Sequence, residues 1–230
     1  MAIPTIISLG GSLIAPAGVA VDFLKSFRRL LIQRLAANSS TRFILVCGGG
    51  APAREYQRAY FAICGTDNPK DADRIGIAAT RLNAELIRHL FKPYCQEEIV
   101  TDPSGLASFE GQILVAAGWQ PGFSTDYIAV CLAKRFQTEL IINLSNIHKV
   151  YTQDPRLNPQ ARPLDEISWS DFQKITQANW TPGQNTPFDP VASREAAHMG
   201  LKVIIACGTE LSNFESILDG KGFVGTLIHP

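Results

Sequence analysis

The chain has 230 residues, 46% of them hydrophobic and 18% charged, and its 21 basic and 21 acidic side chains leave a formal net charge of zero. That length and apolar content suit one large α/β domain or two closely joined lobes with a substantial buried core, and they exclude a disordered chain. Without a basic surplus there is no general electrostatic drive toward nucleic acid or membrane, although a local basic patch can still hold phosphate.

Five scattered cysteines, Cys47, Cys64, Cys95, Cys131 and Cys207, are odd in number and show no metal-ligand spacing. They read as reduced thiols, which points to a cytoplasmic protein. Met1-Ala2-Ile3-Pro4 lacks a basic leader region, and the apolar run at residues 6–9 stops at two glycines, so neither a signal peptide nor a membrane span is expected. There is no internal repeat and no low-complexity linker.

In chain order, residues 4–9 read as a short buried strand broken by Gly10-Gly11-Ser12. Residues 21–37 carry Phe23, Leu24, Phe27, Leu30, Leu31 and Leu35 at helical spacing. Residues 42–47 hold a second buried strand that ends at Gly48-Gly49-Gly50, and a helix follows over about 52–62. The next helix covers 72–91; strands then fit 98–101, 113–116, 140–143 and 202–206, and helices fit 125–136 and 190–199. Asp189 can cap the last helix, Pro190 suits its first turn and Gly200 its end. Apolar strands alternating with helices predict a three-layer α/β sandwich, a mostly parallel sheet covered by helices on both faces. Such sheets bind ligands at the carboxyl ends of their strands, where the glycine-rich turns fall.

Consecutive glycines leave the backbone bare, so N–H groups can face an anion at a helix start. Neither cluster is a Walker loop or a Rossmann fingerprint, and a glycine pair after a strand is also an ordinary tight turn. Arg54 lies one turn into the helix after the triple glycine, where a guanidinium can grip phosphate or simply face solvent. Asp73, Gly76, Thr80 and Asn83 share one helix face. That stripe of carboxylate, bare backbone, hydroxyl and amide suits a ribose and a base edge, or is an exposed polar face. Ile75, Ala79, Leu82 and Leu86 form another face that can pack inward. In Gly122-Phe123-Ser124-Thr125-Asp126, Ser124 is a plausible cap. Asp126 either favours the helix dipole or organises a reacting centre. After the strand at 140–143, Tyr151 offers a flat ring for a purine and Asp154-Pro155 makes a turn; a surface hairpin is the alternative. His148 reads as a loop histidine, because no second ligand is spaced to make it a metal site.

Together, in order and over nearly the whole chain, these segments resemble the amino-acid kinase family, and within it uridylate kinases of the archaeal type. Ile7-Ser8-Leu9-Gly10-Gly11-Ser12-Leu13 is similar to the opening nucleotide-phosphate loop, and Gly48-Gly49-Gly50-Ala51-Pro52-Ala53-Arg54 to the second glycine-rich loop with its arginine. The 73–83 stripe is similar to the helix lining the UMP pocket, Ser124-Thr125-Asp126 to the Thr-Thr-Asp segment, Val150-Tyr151-Thr152-Gln153-Asp154-Pro155 to the ATP-site segment, and Phe188-Asp189-Pro190-Val191-Ala192 to the Asp-Pro-Leu-Ala helix start. Ser8 stands where bacterial relatives carry lysine, and Ile147-His148-Lys149-Val150 where the family carries Val-Asp-Gly-Val.

The resemblance implies a single domain over 1–230, with an acceptor lobe over about 1–136 and an ATP lobe over about 137–230. It implies ATP with Mg2+, UMP as acceptor, and a hexamer. Gly10, Gly11, Ser12, Asn146, Tyr151 and Asp154 would bind ATP. Gly49, Gly50, Arg54, Asp73, Thr80, Asn83, Ser124 and Thr125 would bind the acceptor. Asp126 would be catalytic; Lys149, which stands where the family carries glycine, either joins it by supplying positive charge near the ATP phosphates or is a solvated loop lysine, and no side chain is assigned as a metal ligand. Kinases of carbamate, acetylglutamate or isopentenyl phosphate share the architecture, as does a non-catalytic binding protein that stores nucleotide or oxyanion.

Overall fold

A computed structural model describes residues 2–65, 68–105, 108–178 and 186–230. The elements run β1 (Thr5–Leu9), α1 (Gly11–Ile14), α2 (Val21–Ala37), β2 (Phe43–Cys47), α3 (Gly50–Cys64), α4 (Pro69–Leu90), β3 (Ile113–Ala116), α5 (Thr125–Phe136) and β4 (Leu140–Ser145). They continue with β5 (Val150–Tyr151), β6 (Pro163–Leu164), β7 (Glu166–Ser168), α6 (Trp169–Ala178), α7 (Pro190–His198), β8 (Lys202–Cys207), α8 (Leu211–Leu218) and β9 (Thr226–His229).

Seven strands form one sheet in the order β3-β2-β1-β4-β8-β9-β7, and β5 and β6 form a separate antiparallel ribbon. Every pairing in the large sheet is parallel except β8 with β9. Crossovers through helices set the parallel strands side by side, whereas the chain after β8 passes through α8 and comes back antiparallel, so that β9 lies beside β8. Because the central strands are buried on both faces, they read as continuous apolar runs rather than alternating ones.

Side-chain alternation sorts each strand between two cores. Ile7, Leu9, Leu45, Val115, Ile142 and Leu144 pack on one face with Phe27 and Leu31 of α2, Ile87 of α4 and Phe214 of α8. Ile6, Ile44, Val46, Leu114, Ile141 and Val203 pack on the other with Ile128 and Leu132 of α5, Trp169 and Phe172 of α6 and Ala192 of α7. Each face is therefore covered by helices, as a mostly parallel sheet requires. Among the described residues, no helix is long and apolar enough to cross a membrane.

Two expectations need correction. The strand expected at 98–101 is reduced to an isolated bridge between Val100 and Ala116, since only that residue finds a ladder partner. The apolar face expected to pack inward on α4 does so only in part: Leu86 packs against the core and Ile75 and Ala79 are partly buried, but Leu82 is 68% exposed, while Thr80 and Asn83 are 8% and 5% exposed. Hydrogen-bond partners, described next, make the burial of those polar groups tolerable.

Candidate active site

The parallel strands β1, β2, β3, β4 and β8 end along one edge, so the turns after Leu9, Cys47, Ala116, Ser145 and Cys207 are brought together there. The first two turns interlock. A Cβ placed on Gly11 would lie 1.9 Å from the nitrogen of Gly50 and 2.7 Å from the carbonyl carbon of Gly48. Gly50 itself has φ of 70°, a left-handed conformation that glycine adopts at little cost. Backbone meets backbone here, which explains why both turns are glycines. The Gly48 N–H donates to the Leu9 carbonyl at 3.0 Å and the Ala51 N–H to the Ala15 carbonyl at 2.9 Å, so the two turns are also tied together.

Asn83 braces the second turn from behind. Its side-chain amide donates to the carbonyls of Gly48 at 2.7 Å and Gly49 at 3.2 Å. Thr80 donates to the Ile77 carbonyl at 2.7 Å and accepts the Gly118 N–H at 2.8 Å, which fastens α4 to the turn after β3. Asp73 accepts the Gly122 N–H at 2.9 Å and so anchors the segment leading into α5. At Gly76 a Cβ would lie 2.7 Å from the Gln57 amide, so this helix glycine marks the close approach of α3. The 73–83 stripe thus faces the glycine turns, with Thr80 and Asn83 committed to internal hydrogen bonds. Arg54, one turn into α3, is exposed.

Asp126 is the polar hub of the other face. Ser124 caps α5 by accepting the Tyr127 N–H at 3.2 Å, and this places Thr125 and Asp126 in the first turn. Ser8 and Asn143 are register partners on β1 and β4. Both side chains point to the α5 face and donate to the same oxygen of Asp126, at 3.1 Å and 3.0 Å. The other oxygen accepts the Asp189 N–H at 3.1 Å, and Asp189 caps α7 through the Ala192 N–H at 2.8 Å. Burial raises the Asp126 carboxyl to about 6, and the neighbouring Asp189 charge adds to the rise. The Asp189 N–H, Ser8 and Asn143 bonds act in the opposite direction and limit it.

The segment after β4 is less uniform. Asn146 is exposed, and Tyr151 lies half-buried on β5 in the ribbon with β6. Asp154 is held by Arg156, at 2.7 Å and 3.1 Å, and shapes its own turn. Hydrogen bonds from Arg156 lower the Asp154 carboxyl below its ordinary value. Lys149 forms an ion pair with Asp165, between β6 and β7. Ser12 sits in the short helix α1 beside the interlocked turns.

Asn143 carries no motif in the sequence, because it is one polar residue inside an apolar strand. Its only signal is that position, since an amide at a central sheet position requires a partner. Ser8 shares that signal.

The amino acid kinase family model matches residues 4–207. A uridylate kinase from Thermoplasma volcanium is 34% identical over 97% of this chain and 96% of its own length, and one from Methanococcus vannielii is 31% identical over 98% and 99%. The crystal structure of uridylate kinase from Archaeoglobus fulgidus superimposes with a TM-score of 0.79 at 28% identity, covering 98% of this chain and 99% of that one. With the fold, the interlocked turns and these matches in agreement, the chain belongs to the amino acid kinase family.

Proposed function

We propose that the chain is a nucleoside monophosphate kinase that transfers the γ-phosphoryl group of ATP to UMP, giving ADP and UDP. The observation that carries this reading is the backbone contact between Gly11 and Gly48–Gly50. Transfer between two phosphorylated substrates requires both phosphates side by side. Two bare glycine turns in contact, at the carboxyl edge of one sheet, supply adjacent anion sites. Full-length likeness to uridylate kinases supports UMP as the acceptor.

In this reading Gly10, Gly11 and Ser12 hold the ATP phosphates, with Asn146, Tyr151 and Asp154 beside the rest of the nucleotide. Gly49, Gly50 and Arg54 hold the UMP phosphate, and Ser124 and Thr125 approach it from the start of α5. Asp73 contributes to the ribose side. Thr80 and Asn83 act from behind the pocket wall by fixing Gly118, Gly48 and Gly49. Transfer is in line, and catalysis is mostly positioning and charge stabilisation rather than side-chain base chemistry. Asp126 orders the two strand ends and the α7 cap around the reacting phosphates. Lys149 can contribute charge only by leaving Asp165.

Mg2+ enters as the ion that accompanies ATP. Asp126 suits a neighbour's role better than that of a direct ligand, because three donors already occupy most of its roughly four acceptor positions. When bound, the ion offsets charge on the phosphate oxygens. The reading extends to a homo-oligomer, a hexamer by family likeness, and the exposed apolar residues Tyr56, Ile63 and Leu82 on α3 and α4 support it.

A coupled assay of ADP release with UMP, CMP, acetylglutamate or no acceptor tests the proposal. Release that depends on UMP is expected. Release that depends on acetylglutamate instead would move the acceptor, and no release with any acceptor would leave a binding protein.

A further inference from the structure

We propose that His148, Cys207 and Glu210 form a binding site for a zinc-class divalent transition-metal ion. The three ligand atoms come from two segments, the loop that holds His148 and the turn from Cys207 to Glu210, and lie within 4.8 Å of one another. His148 sits in the loop between β4 and β5, Cys207 ends β8, and Glu210 immediately precedes α8. The inference does not rest on the kinase reading.

The geometry is close to what such an ion needs. His148 Nδ1 and Glu210 Oε1 are 3.3 Å apart. Two nitrogen or oxygen ligands of a tetrahedral zinc ion, each at roughly 2.0–2.1 Å from the metal, are separated by about 3.3 Å. Adjustment of the sulfur contact falls to the side chains of His148 and Glu210, which are 57% and 43% exposed and have room to turn.

The sulfur end of the site is held in place. Cys207 is 5% exposed and pairs in register with Ser145 of β4. The Gly208 N–H fixes the following turn on the Ser145 carbonyl at 2.8 Å. The Glu210 N–H returns to the Cys207 carbonyl at 3.3 Å, which brings the carboxylate back over the sulfur. The Thr209 hydroxyl lies 3.1 Å from the Cys207 sulfur, where it can donate to a thiolate and steady a first ligand from outside.

The donor set selects the ion class. Thiolate with imidazole favours zinc and its softer neighbours, whereas Mg2+ prefers an all-oxygen octahedron. One carboxylate completes three protein ligands, and a water takes the fourth position. Binding releases the thiol proton as the sulfur–metal bond forms, so affinity rises with pH.

Co2+ is the spectroscopic probe, added to the full-length protein after chelator treatment. One equivalent should produce a thiolate-to-cobalt charge-transfer band in the near ultraviolet together with the visible bands of a four-coordinate ion. One equivalent of Zn2+ should bleach both, and millimolar Mg2+ should not. Cys207→Ser should abolish the charge-transfer band, while Cys64→Ser, which alters the exposed cysteine of α3, should leave it unchanged. His148→Ala and Glu210→Gln should each weaken Zn2+ binding at least tenfold. These two positions have exposed side chains, so they keep the test decisive even if Cys207→Ser fails to fold. Absence of the band, its persistence in folded Cys207→Ser, its loss in Cys64→Ser, or unchanged Zn2+ affinity in both His148→Ala and Glu210→Gln overturns the proposal.

Discussion

One carboxylate oxygen of Asp126 accepts the backbone N–H of Asp189 at 3.1 Å, so the first turn of α5 and the cap of α7 are joined by a single bond. The other oxygen reaches Ser8 and Asn143 on the sheet. Four elements thus share one carboxylate, and its ionisation state matters to all of them.

The Asp126 carboxyl is raised to about 6, and the sign of its pH effect follows. Between its ordinary unfolded value and about 6, the folded chain holds a proton that the unfolded chain has released, so stability falls as pH rises through that window. Activity should behave oppositely if the ionised form organises the site. The kcat profile should show an acidic limb near pH 6, which Asp126→Asn should lack while lowering kcat at neutral pH. Ser8→Ala removes a donor that favours the charged form, so it should move the limb upward by up to about one unit. A profile flat from pH 5 to 8 in the unaltered protein would return Asp126 to a purely structural role.

Arg54→Ala should weaken use of UMP more than binding of ATP. A charge-assisted hydrogen bond is worth roughly 1.5–3 kcal/mol, so kcat/KM for UMP should fall about 10- to 150-fold. Arg54 is exposed, so the fold should survive. Steady-state kinetics with each substrate varied in turn measure the effect, and wild-type values would make Arg54 an ordinary surface residue.

Asn83→Ala should destabilise the chain by roughly 1–3 kcal/mol, because it strips an amide from the buried side of the Gly48–Gly49 turn and leaves its carbonyls short of a donor. Denaturant unfolding gives the stability change, and the KM for UMP should rise as the turn loosens. A stable variant with unchanged KM would contradict the bracing role.

Much of the scaffold was legible in the sequence, and the misses have physical causes. The helix at 21–37 matches α2 residue for residue, because its apolar positions recur at helical spacing. Ser124 and Asp189 cap as their residue types suggested. On α4, Leu86 packs inward as its spacing suggests, but Leu82 does not, because periodicity alone sends every apolar residue inward. Thr80 and Asn83 reverse the rule here by finding buried backbone partners. Strand β9 and helix α8 were missed: β9 is four residues long and α8 eight, and each is decided by its neighbours. Cys207 and Glu210 meet His148 only through the β4–β8 pairing, which no local spacing reveals.

Lys149 gives a two-sided prediction, because its ammonium is held by Asp165. If that charge serves the nucleotide, Asp165→Asn should release it and lower the KM for ATP, and Lys149→Met should lower kcat. An exposed ion pair contributes only about 0–1 kcal/mol, so neither change should unfold the protein. Lys149→Gly introduces the glycine that the resemblance to the family implies at this position, and higher kcat in that variant would mark the lysine as an obstruction. Unaltered kinetics in all three variants would remove Lys149 from the mechanism.

The central claim is that the phosphoryl group lands on UMP. Phosphorus NMR of the purified protein with ATP, Mg2+ and UMP follows every phosphate at once. The account predicts that the UMP signal is replaced by the two signals of UDP, with ADP formed in equal amount and no inorganic phosphate. ADP accompanied by inorganic phosphate, with the UMP signal unchanged, would contradict it.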